Sequence, residues 1–158
     1  MGCDGAVSAK RELIEAARAA MANAHAPYSR FAVGAAVRLT DGAIVTGCTF
    51  ENASYGLSLC AETVALATVN AQGRFADVEA IAVVGGAMGA DGSVAGDAIV
   101  TPCGRCRQIM NETEQMAGRE LAIYCAAPEG DAVIEHCVAE LLPFSFGPAD
   151  LGITPRKN

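Results

Sequence analysis

The chain has 158 residues, of which 52% are hydrophobic, and it carries a formal net charge of −7 with seven cysteines. This length and apolar content suit one packed domain, and no apolar run is long enough to span a membrane. The acidic balance, without a cluster of lysine or arginine, argues against binding to a polynucleotide backbone. We therefore expect one domain over residues 1–158, with neither nucleic-acid nor membrane partners.

The cysteine count and the N-terminal segment bear on the cellular compartment. An odd number of cysteines without a secretion signal favours thiols that are used for a metal or for packing over a disulfide framework. Residues 8–24 alternate polar and apolar at helical spacing, which is not the pattern of a signal peptide. We expect a cytoplasmic protein.

The first elements along the chain are a helix and a pair of strands. Ser8 is predicted to cap a helix over about residues 9–24, in which apolar residues recur at three- and four-residue steps. Residues 31–40 and 43–49 are rich in alanine and valine, and the Asp41-Gly42 dipeptide between them is typical of a two-residue hairpin turn. An antiparallel strand pair follows.

The rest of the chain alternates helices with strands. Residues 85–101 carry five glycines, little periodicity and unusual length, which indicates a flexible connection, inserted at the surface. Alternating strands and helices predict a three-layer α/β/α sandwich with a mixed central sheet. The predicted elements are a helix at 60–71, a strand at 78–84, a helix at 104–116, strands at 121–126 and 133–137, and a helical turn at 138–142.

Two short motifs carry chemistry: Cys60-Ala61-Glu62, and Pro102-Cys103-Gly104-Arg105-Cys106. Cys103 and Cys106 are three residues apart, so at the start of a helix both sulfurs lie on one face and reach one ion. Structural zinc sites take four protein ligands, whereas catalytic sites take three and leave a position for water. Three cysteines with a spare carboxylate predict a catalytic zinc, with Cys60, Cys103 and Cys106 as ligands and Glu62 as the catalytic residue.

Each motif also has a plainer interpretation. A Pro-Cys-x-x-Cys segment alone is typical of a redox dithiol, and a glutamate early in a helix alone is typical of a charge favoured by the helix dipole. From a different class, the chain is a non-catalytic scaffold if Cys48, Cys125 or His136 closes the zinc site as a fourth ligand. Counting the metal ligands separates the scaffold from the enzyme.

More of the sequence supports the enzyme, because a ligand-x-Glu segment followed by Pro-Cys-x-x-Cys is the signature of zinc nucleoside and nucleobase deaminases. The chain resembles the small, homotetrameric type of zinc-dependent cytidine deaminase from about residue 8 to about residue 150. The resemblance is carried by Pro27–Ala36, Gly47–Tyr55, Cys60–Glu62, Pro102–Gln108 and Leu141–Pro143 with Phe146.

This resemblance implies a fold, a reaction and a cofactor. The fold is cytidine deaminase-like, and one Zn²⁺ per chain lowers the pKa of a water to about 7. That water attacks C4 of cytosine, while Glu62 moves its proton to the ring and to the departing amino group. The implied function is hydrolytic deamination of cytidine and 2′-deoxycytidine in pyrimidine salvage, by a homotetramer.

The resemblance also implies the contacts to the substrate. Phe31 packs against the pyrimidine, the backbone beside Ala61 holds the base carbonyl, and Glu51 binds the ribose hydroxyls. Phe146 reaches the site of a neighbouring subunit, and Thr49 stands where many relatives bind the sugar. Without the resemblance, Phe31 and Phe146 are typical core aromatics.

Two residues depart from the family pattern. Thr49 replaces a frequent asparagine, so we expect looser sugar recognition, which leaves open a blasticidin-type antibiotic or a modified cytidine as substrate. Thr63 replaces a frequent arginine, whose positive charge would offset the negative charge of the zinc-bound thiolates. We expect Arg105, Arg107 and the helix dipoles to take over that role. His25, at a predicted helix end, is expected to be solvated.

Overall fold

The computed structural model describes residues 3–155. Its regular elements, labelled in chain order, are α1 (Cys3–Met21), β1 (Phe31–Leu39), β2 (Ile44–Cys48), α2 (Ala61–Ala71), β3 (Val78–Ala87), α3 (Gly104–Ala117), β4 (Ala122–Ala126), β5 (Val133–His136) and α4 (Val138–Leu141). None of these helices combines the length and the apolar character that crossing a bilayer requires.

The five strands form one mixed sheet in the order β2-β1-β3-β4-β5. Strand β1 pairs antiparallel with β2 and with β3, β3 pairs parallel with β4, and β4 pairs antiparallel with β5. The central strand β3 is buried along most of its length, which explains its continuous run of alanine and valine.

The helices cover both faces of the sheet. Helix α1 packs its apolar stripe, which includes Leu13 and Met21, on one face. Helices α2, α3 and α4 cover the other face, where Leu66 and Met110 are buried against the strands. The predicted three-layer α/β/α sandwich with a mixed sheet is confirmed.

The first helix differs from its prediction at its N-terminus. Ser8 was predicted as the N-cap, but α1 begins at Cys3 and Ser8 lies within it. The residues that precede Ser8 are mostly small and carry no apolar period, so nothing in the pattern signals the extra turn. The helix also ends earlier than residue 24, at Met21.

The hairpin between β1 and β2 is antiparallel as predicted, but its loop has three residues and not two. The amide of Leu39 donates to the carbonyl of Ala43, and the amide of Gly42 donates to the carbonyl of Leu39. Within this hairpin loop, only Gly42 has a positive φ, of 87°. A type I turn followed by a left-handed glycine suits a three-residue loop.

The glycine-rich segment at 85–101 is only partly a connection. Its first residues, 85–87, extend β3. Beyond them Met88 and Val94 form an isolated antiparallel bridge, and Gly96 and Glu129 exchange hydrogen bonds. The segment is therefore tied to the sheet and to the loop after β4.

Two glycines let helices approach the sheet at backbone distance. A Cβ on Gly34 would lie 2.1 Å from the carbonyl oxygen of Ala17, in α1. A Cβ on Gly47 would lie 2.5 Å from the amide nitrogen of Ala65, in α2. Because α2 begins next to Cys60, the contact at Gly47 fixes the position of the first motif.

Candidate active site

The three predicted zinc ligands meet where α2 and α3 begin. Cys60 is the N-cap of α2, Cys103 is the N-cap of α3, and Cys106 lies in the first turn of α3. Their sulfurs lie within 4.8 Å of one another, and the Cys60 and Cys103 sulfurs are 3.8 Å apart. Tetrahedral zinc with Zn–S bonds of about 2.3 Å requires sulfurs about 3.8 Å apart, so the cluster fits zinc.

The surroundings of the cluster favour thiolates. Both helices direct their N-termini, which carry partial positive charge, at the three sulfurs. Hydrogen bonds from the thiols of Cys106 and Cys103, with the charge of Arg105, lower the pKa of Cys60 to about 6. The same hydrogen bonds and burial raise the pKa of Cys106. These surroundings therefore favour a thiolate at Cys60.

Two arginines, Arg105 and Arg107, were predicted to offset the negative charge of the cysteine thiolates, and only Arg105 acts on the cysteine cluster. Arg105 contributes to the low pKa of Cys60. Arg107 instead donates to the carbonyls of Pro102 and Leu141, so its guanidinium serves the backbone. The hydroxyl of Thr63 lies 3.9 Å from the sulfur of Cys106, a long contact in the place of the missing arginine.

Among the side chains that the structure describes, those of residues 5 and 7–155, no fourth His, Cys, Asp or Glu lies within 4.8 Å of all three sulfurs. Cys125 is fully buried in β4, where burial raises its pKa to about 11. His136 pairs with Glu140 instead, and His25 is exposed in the loop after α1. The proposed closure by Cys48, Cys125 or His136, which defined the scaffold alternative, therefore finds no support in the geometry.

Glu62 lies in the first turn of α2, two residues after Cys60, and is only 4% exposed. Burial raises the pKa of its carboxyl group above the ordinary value. A carboxyl group with a raised pKa takes up and releases a proton closer to neutral pH. Glu62 thus has the properties of a general acid/base beside the metal ligands.

A cleft of about 380 Å³ opens beside the three sulfurs. Four of the predicted site residues line it together with two of the cysteines: Phe31, Thr49, Glu51, Glu62, Cys60 and Cys103. The remaining walls come from Ser29, Val33, Ser58, Leu59, Val83, Val100 and Thr101. The cleft is large enough for a nucleoside-sized ligand, in the range of typical small-molecule sites.

The cleft is also lined by one carboxylate, that of Glu51, which the backbone holds in place. The amides of Tyr28 and Ser29 donate to one oxygen of Glu51, at 2.9 and 3.2 Å. The Ser29 hydroxyl and these amides lower the pKa of Glu51. Its second oxygen remains able to accept a hydrogen bond from a hydroxyl group.

Thr49 lines the cleft as well, but its hydroxyl already makes hydrogen bonds within the protein. The hydroxyl oxygen accepts the amide of Val33 at 3.0 Å and lies 3.4 Å from the carbonyl oxygen of Val33. Its side chain therefore offers the cleft mainly its methyl group.

Ala61 and Phe146, the remaining predicted contacts, are placed differently. Ala61 is fully buried at the start of α2, where backbone amides have no partner within the helix. Phe146 does not line the cleft of its own chain; it lies beyond α4 with 61% of its surface exposed.

Sequence reasoning missed the apolar walls of the cleft. Val33, Val83 and Val100 come from β1, β3 and the end of the glycine-rich segment. Val100 and Thr101 directly precede Pro102, and that adjacency was the available signal. Val33 lies two residues after Phe31 in β1, so strand alternation was a signal that it shares the face of Phe31, whereas Val83 carries no signal, because β1 and β3 become neighbours only through the strand order.

A cluster of three cysteines, a buried carboxyl group beside it and an adjoining cleft define a zinc hydrolase of the nucleoside deaminase type. A family model described as "Cytidine and deoxycytidylate deaminase zinc-binding region" matches residues 7–118. The chain therefore belongs to this family, which confirms the resemblance, and it is a zinc-dependent enzyme.

Individual relatives agree over most of the chain. A cytidine deaminase of Halalkalibacterium halodurans is 42% identical over 90% of this chain and 97% of its own length. One of Mycobacterium tuberculosis is 42% identical over 88% of each chain. The crystal structure of cytidine deaminase from Burkholderia pseudomallei matches with a TM-score of 0.71 and 42% identity, over 86% of this chain and 98% of that one.

Proposed function

We propose that the protein hydrolyses cytidine and 2′-deoxycytidine to uridine and 2′-deoxyuridine, with release of ammonia. The observation that carries this proposal is the cleft that joins Cys60, Cys103 and Glu62 to Phe31 and Glu51. It combines a metal site, a proton-transfer group, an aromatic face and a hydroxyl acceptor, which are the four features that a cytosine nucleoside requires. Relatives that carry the name cytidine deaminase support this choice.

The chain's own residues divide the chemical work. Cys60, Cys103 and Cys106 would hold the zinc ion, which would act as a Lewis acid and lower the pKa of a water molecule to about 7. Glu62 accepts one proton of the attacking water and delivers it to ring N3; it then takes the second proton, from the new C4 hydroxyl, and passes it to the departing amino group. The new C4–O bond replaces the C4–N bond, so one water is consumed for each ammonia released.

The remaining residues are proposed to bind the substrate. Phe31 packs against the base, and the backbone amides beside Ala61 hold the base carbonyl. Glu51 accepts hydrogen bonds from the sugar hydroxyls with its free oxygen, and Thr49 contacts the sugar through its methyl group. Phe146, which does not line the cleft of its own chain, completes the pocket of a neighbouring subunit.

The assembly and the location belong to the same proposal. We propose a homotetramer of one-domain chains, supported by the large exposed aromatic side chains of Phe50, Tyr55, Phe144 and Phe146. Three thiols kept for zinc also require a reducing compartment, and we propose the cytoplasm.

One rival substrate class rests on a specific observation. Because the hydroxyl of Thr49 is bonded to Val33, the sugar end of the cleft carries fewer free polar groups than an asparagine would provide. An antibiotic of the blasticidin type or a modified cytidine, with a different group in place of ribose, would lose fewer hydrogen bonds there than cytidine does.

A substrate panel tests the proposal. Purified zinc-loaded protein is incubated with cytidine, 2′-deoxycytidine, blasticidin S, free cytosine, CMP and adenosine, and ammonia release is followed. We expect cytidine and 2′-deoxycytidine to give the highest kcat/KM, and we expect the Glu62→Gln variant to release ammonia about 10²- to 10⁴-fold more slowly. Preference for blasticidin S would favour the rival class, and no release from any compound would refute the deaminase.

A further inference from the structure

Three amide side chains lie along one face of α3, the helix that carries Cys106 and begins at Cys103. Gln108, Asn111 and Gln115 are spaced by three and four residues, so they form one row on the helix surface. Asn111 is only 3% exposed. The proposed chemistry uses none of the three, and a buried amide persists only where its hydrogen bonds are made.

The first two residues of this amide row, Gln108 and Asn111, form hydrogen bonds to the backbone of Phe146. The carbonyl oxygen of Phe146 accepts the side-chain amide of Gln108 at 2.8 Å and that of Asn111 at 3.2 Å. The hydroxyl of Ser145 donates to the side-chain oxygen of Asn111 at 2.9 Å. A carbonyl oxygen accepts two such bonds, so the hydrogen-bonding capacity of this one is filled from α3.

The last residue of the amide row, Gln115, contacts the residues that follow Phe146. The side-chain oxygen of Gln115 accepts the amide of Ala149 at 3.0 Å, and its nitrogen lies 3.4 Å from the oxygen of Asn111. A Cβ on Gly147 would lie 2.6 Å from the side-chain nitrogens of Asn111 and Gln115. The φ of Gly147 is −158°, which any residue adopts, so a larger residue here would act only by displacing these two side-chain amides.

These hydrogen bonds hold the backbone in the segment from which the exposed side chains of Phe144 and Phe146 extend. Phe144 is fully exposed and has a φ of +58°, a conformation that is uncommon for a bulky residue and that persists only where the surroundings impose it. The ring of Phe146 is 61% exposed. The Cα–Cβ bond from which the ring extends is fixed by the backbone that the amide row holds, so this backbone limits the directions that the ring can take.

We propose that Gln108, Asn111 and Gln115 are positioning residues, which fix the backbone of Phe146 so that its ring enters the nucleoside pocket of a neighbouring subunit. This inference rests on the proposed function, which assigns the ring to that pocket. Helix α3 also begins at Cys103 and contains Cys106. The helix that holds two zinc ligands in one subunit therefore also positions an aromatic ring in the nucleoside pocket of the next subunit.

The kinetic test uses Gln108→Glu, which keeps the size of the side chain and removes the amide donor. We expect KM for cytidine to rise roughly 3- to 10-fold, in the range of one lost hydrogen bond, with kcat within about twofold. Zinc should stay at one per chain. Glu112→Gln, an exposed isosteric change on the same helix, is the matched control and should leave KM unchanged.

A double-mutant cycle separates positioning from a general structural role. If Gln108 acts through Phe146, then Gln108→Glu in a Phe146→Ala background should raise KM by less than about twofold further. Additive effects of the two changes, or an unchanged KM in Gln108→Glu alone, would overturn the proposal. Asn111→Asp should behave as Gln108→Glu does; a refolding failure of that variant leaves the cycle at Gln108 decisive.

A readout that is independent of turnover keeps the inference separate from the proposed function. The chain contains no tryptophan, so Phe146→Trp introduces a unique fluorophore. We expect its fluorescence anisotropy to fall when Gln108→Glu is added and to stay constant with Glu112→Gln. Constant anisotropy in both would refute the positioning role, whereas an inactive wild type with this anisotropy pattern would refute only the proposed substrate.

Discussion

At the residue scale, Glu62 combines burial with immediate access to the metal site. Its carboxyl group does not lie within 4.8 Å of all three cysteine sulfurs, and burial raises its pKa. We expect Glu62→Gln to lower kcat by about 10²- to 10⁴-fold, because the amide cannot transfer protons. Zinc content measured by atomic absorption should stay at one per chain. Wild-type turnover in this variant, or loss of its zinc, would disprove the assigned role.

Thr49 can be tested by two substitutions of opposite kind. An asparagine keeps an acceptor for the amide of Val33 and adds a donor toward the sugar, so Thr49→Asn should raise kcat/KM for cytidine roughly 2- to 12-fold. The gain should shrink for nucleosides that lack the hydroxyl concerned. A decrease in kcat/KM would instead favour a modified nucleoside or an antibiotic as the substrate.

Thr49→Val is the companion variant, since it removes the hydroxyl and keeps the shape. The amide of Val33 then loses its side-chain acceptor, which costs about 1–3 kcal/mol where no water replaces it. Thermal unfolding should shift to lower temperature while KM for cytidine stays within about twofold. A large rise in KM at unchanged stability would show that the hydroxyl itself binds the sugar.

The cysteines should differ in their reactivity toward alkylating agents. Cys103 is exposed, so chelation of zinc should speed its labelling by iodoacetamide at about pH 8 and lower the stability of the fold. Cys125 is buried with a pKa of about 11 and should stay unlabelled in both states. Mass spectrometry of peptides measures both. Labelling of Cys103 that ignores the chelator would contradict its role as a ligand.

At the scale of elements, the start of α2 depends on the absence of a side chain at Gly47. An alanine there would press its Cβ on the backbone of α2, so Gly47→Ala should cost about 1–3 kcal/mol of stability and displace Cys60 and Glu62. We expect weaker zinc binding together with a lower melting temperature. Both are measured by thermal unfolding with graded zinc.

Gly34→Ala is the matched control on the opposite face. It creates an even closer contact, with α1, but none of the three predicted zinc ligands lies on α1. The variant should lose stability and retain its zinc affinity in the folded protein. Equal zinc affinity in both variants would show that α2 does not transmit the contact at Gly47 to the site.

The elements also show which features the sequence could predict. The cysteine motifs predicted their own cluster, because coordination chemistry restricts the residue types and their spacing more tightly than packing does. The sheet class followed from strands that alternate with helices. The hairpin loop was wrong by one residue, since an Asp-Gly dipeptide serves both a two-residue turn and the left-handed end of a longer loop.

The features that could not be predicted depend on which strands become neighbours. The cleft takes Val33 from β1 and Val83 from β3, which pair directly although β2 intervenes in the chain. The amide row of α3 has no counterpart in the sequence pattern either. Its partners around Phe146 lie more than 30 positions away, and only the fold brings them together.

At the scale of the whole molecule, the proposed tetramer explains the large exposed apolar side chains. Phe50, Tyr55, Leu57 and Phe144 lie outside the core, where a single chain would leave them in water. We expect light scattering to give the mass of four chains. Tyr55→Asp should dissociate the assembly, whereas Val7→Asp, at an exposed position on α1, should not. A fully active preparation with the mass of one chain would disprove the tetramer.

Subunit mixing tests whether sites are shared between chains. Glu62→Gln chains lack the proton-transfer group, and Phe146→Ala chains lack the ring that is proposed to complete a neighbour's pocket. In a mixed assembly, some pockets combine an intact Glu62 from one chain with an intact Phe146 from another. If each pocket takes one ring, an equal mixture that is denatured and refolded together should recover about a quarter of the wild-type kcat/KM. Each variant refolded alone is the control. A mixture with only the mean activity of its two parents would place Phe146 in its own chain's site or in none, and the positioning role of the amide row would fail with it.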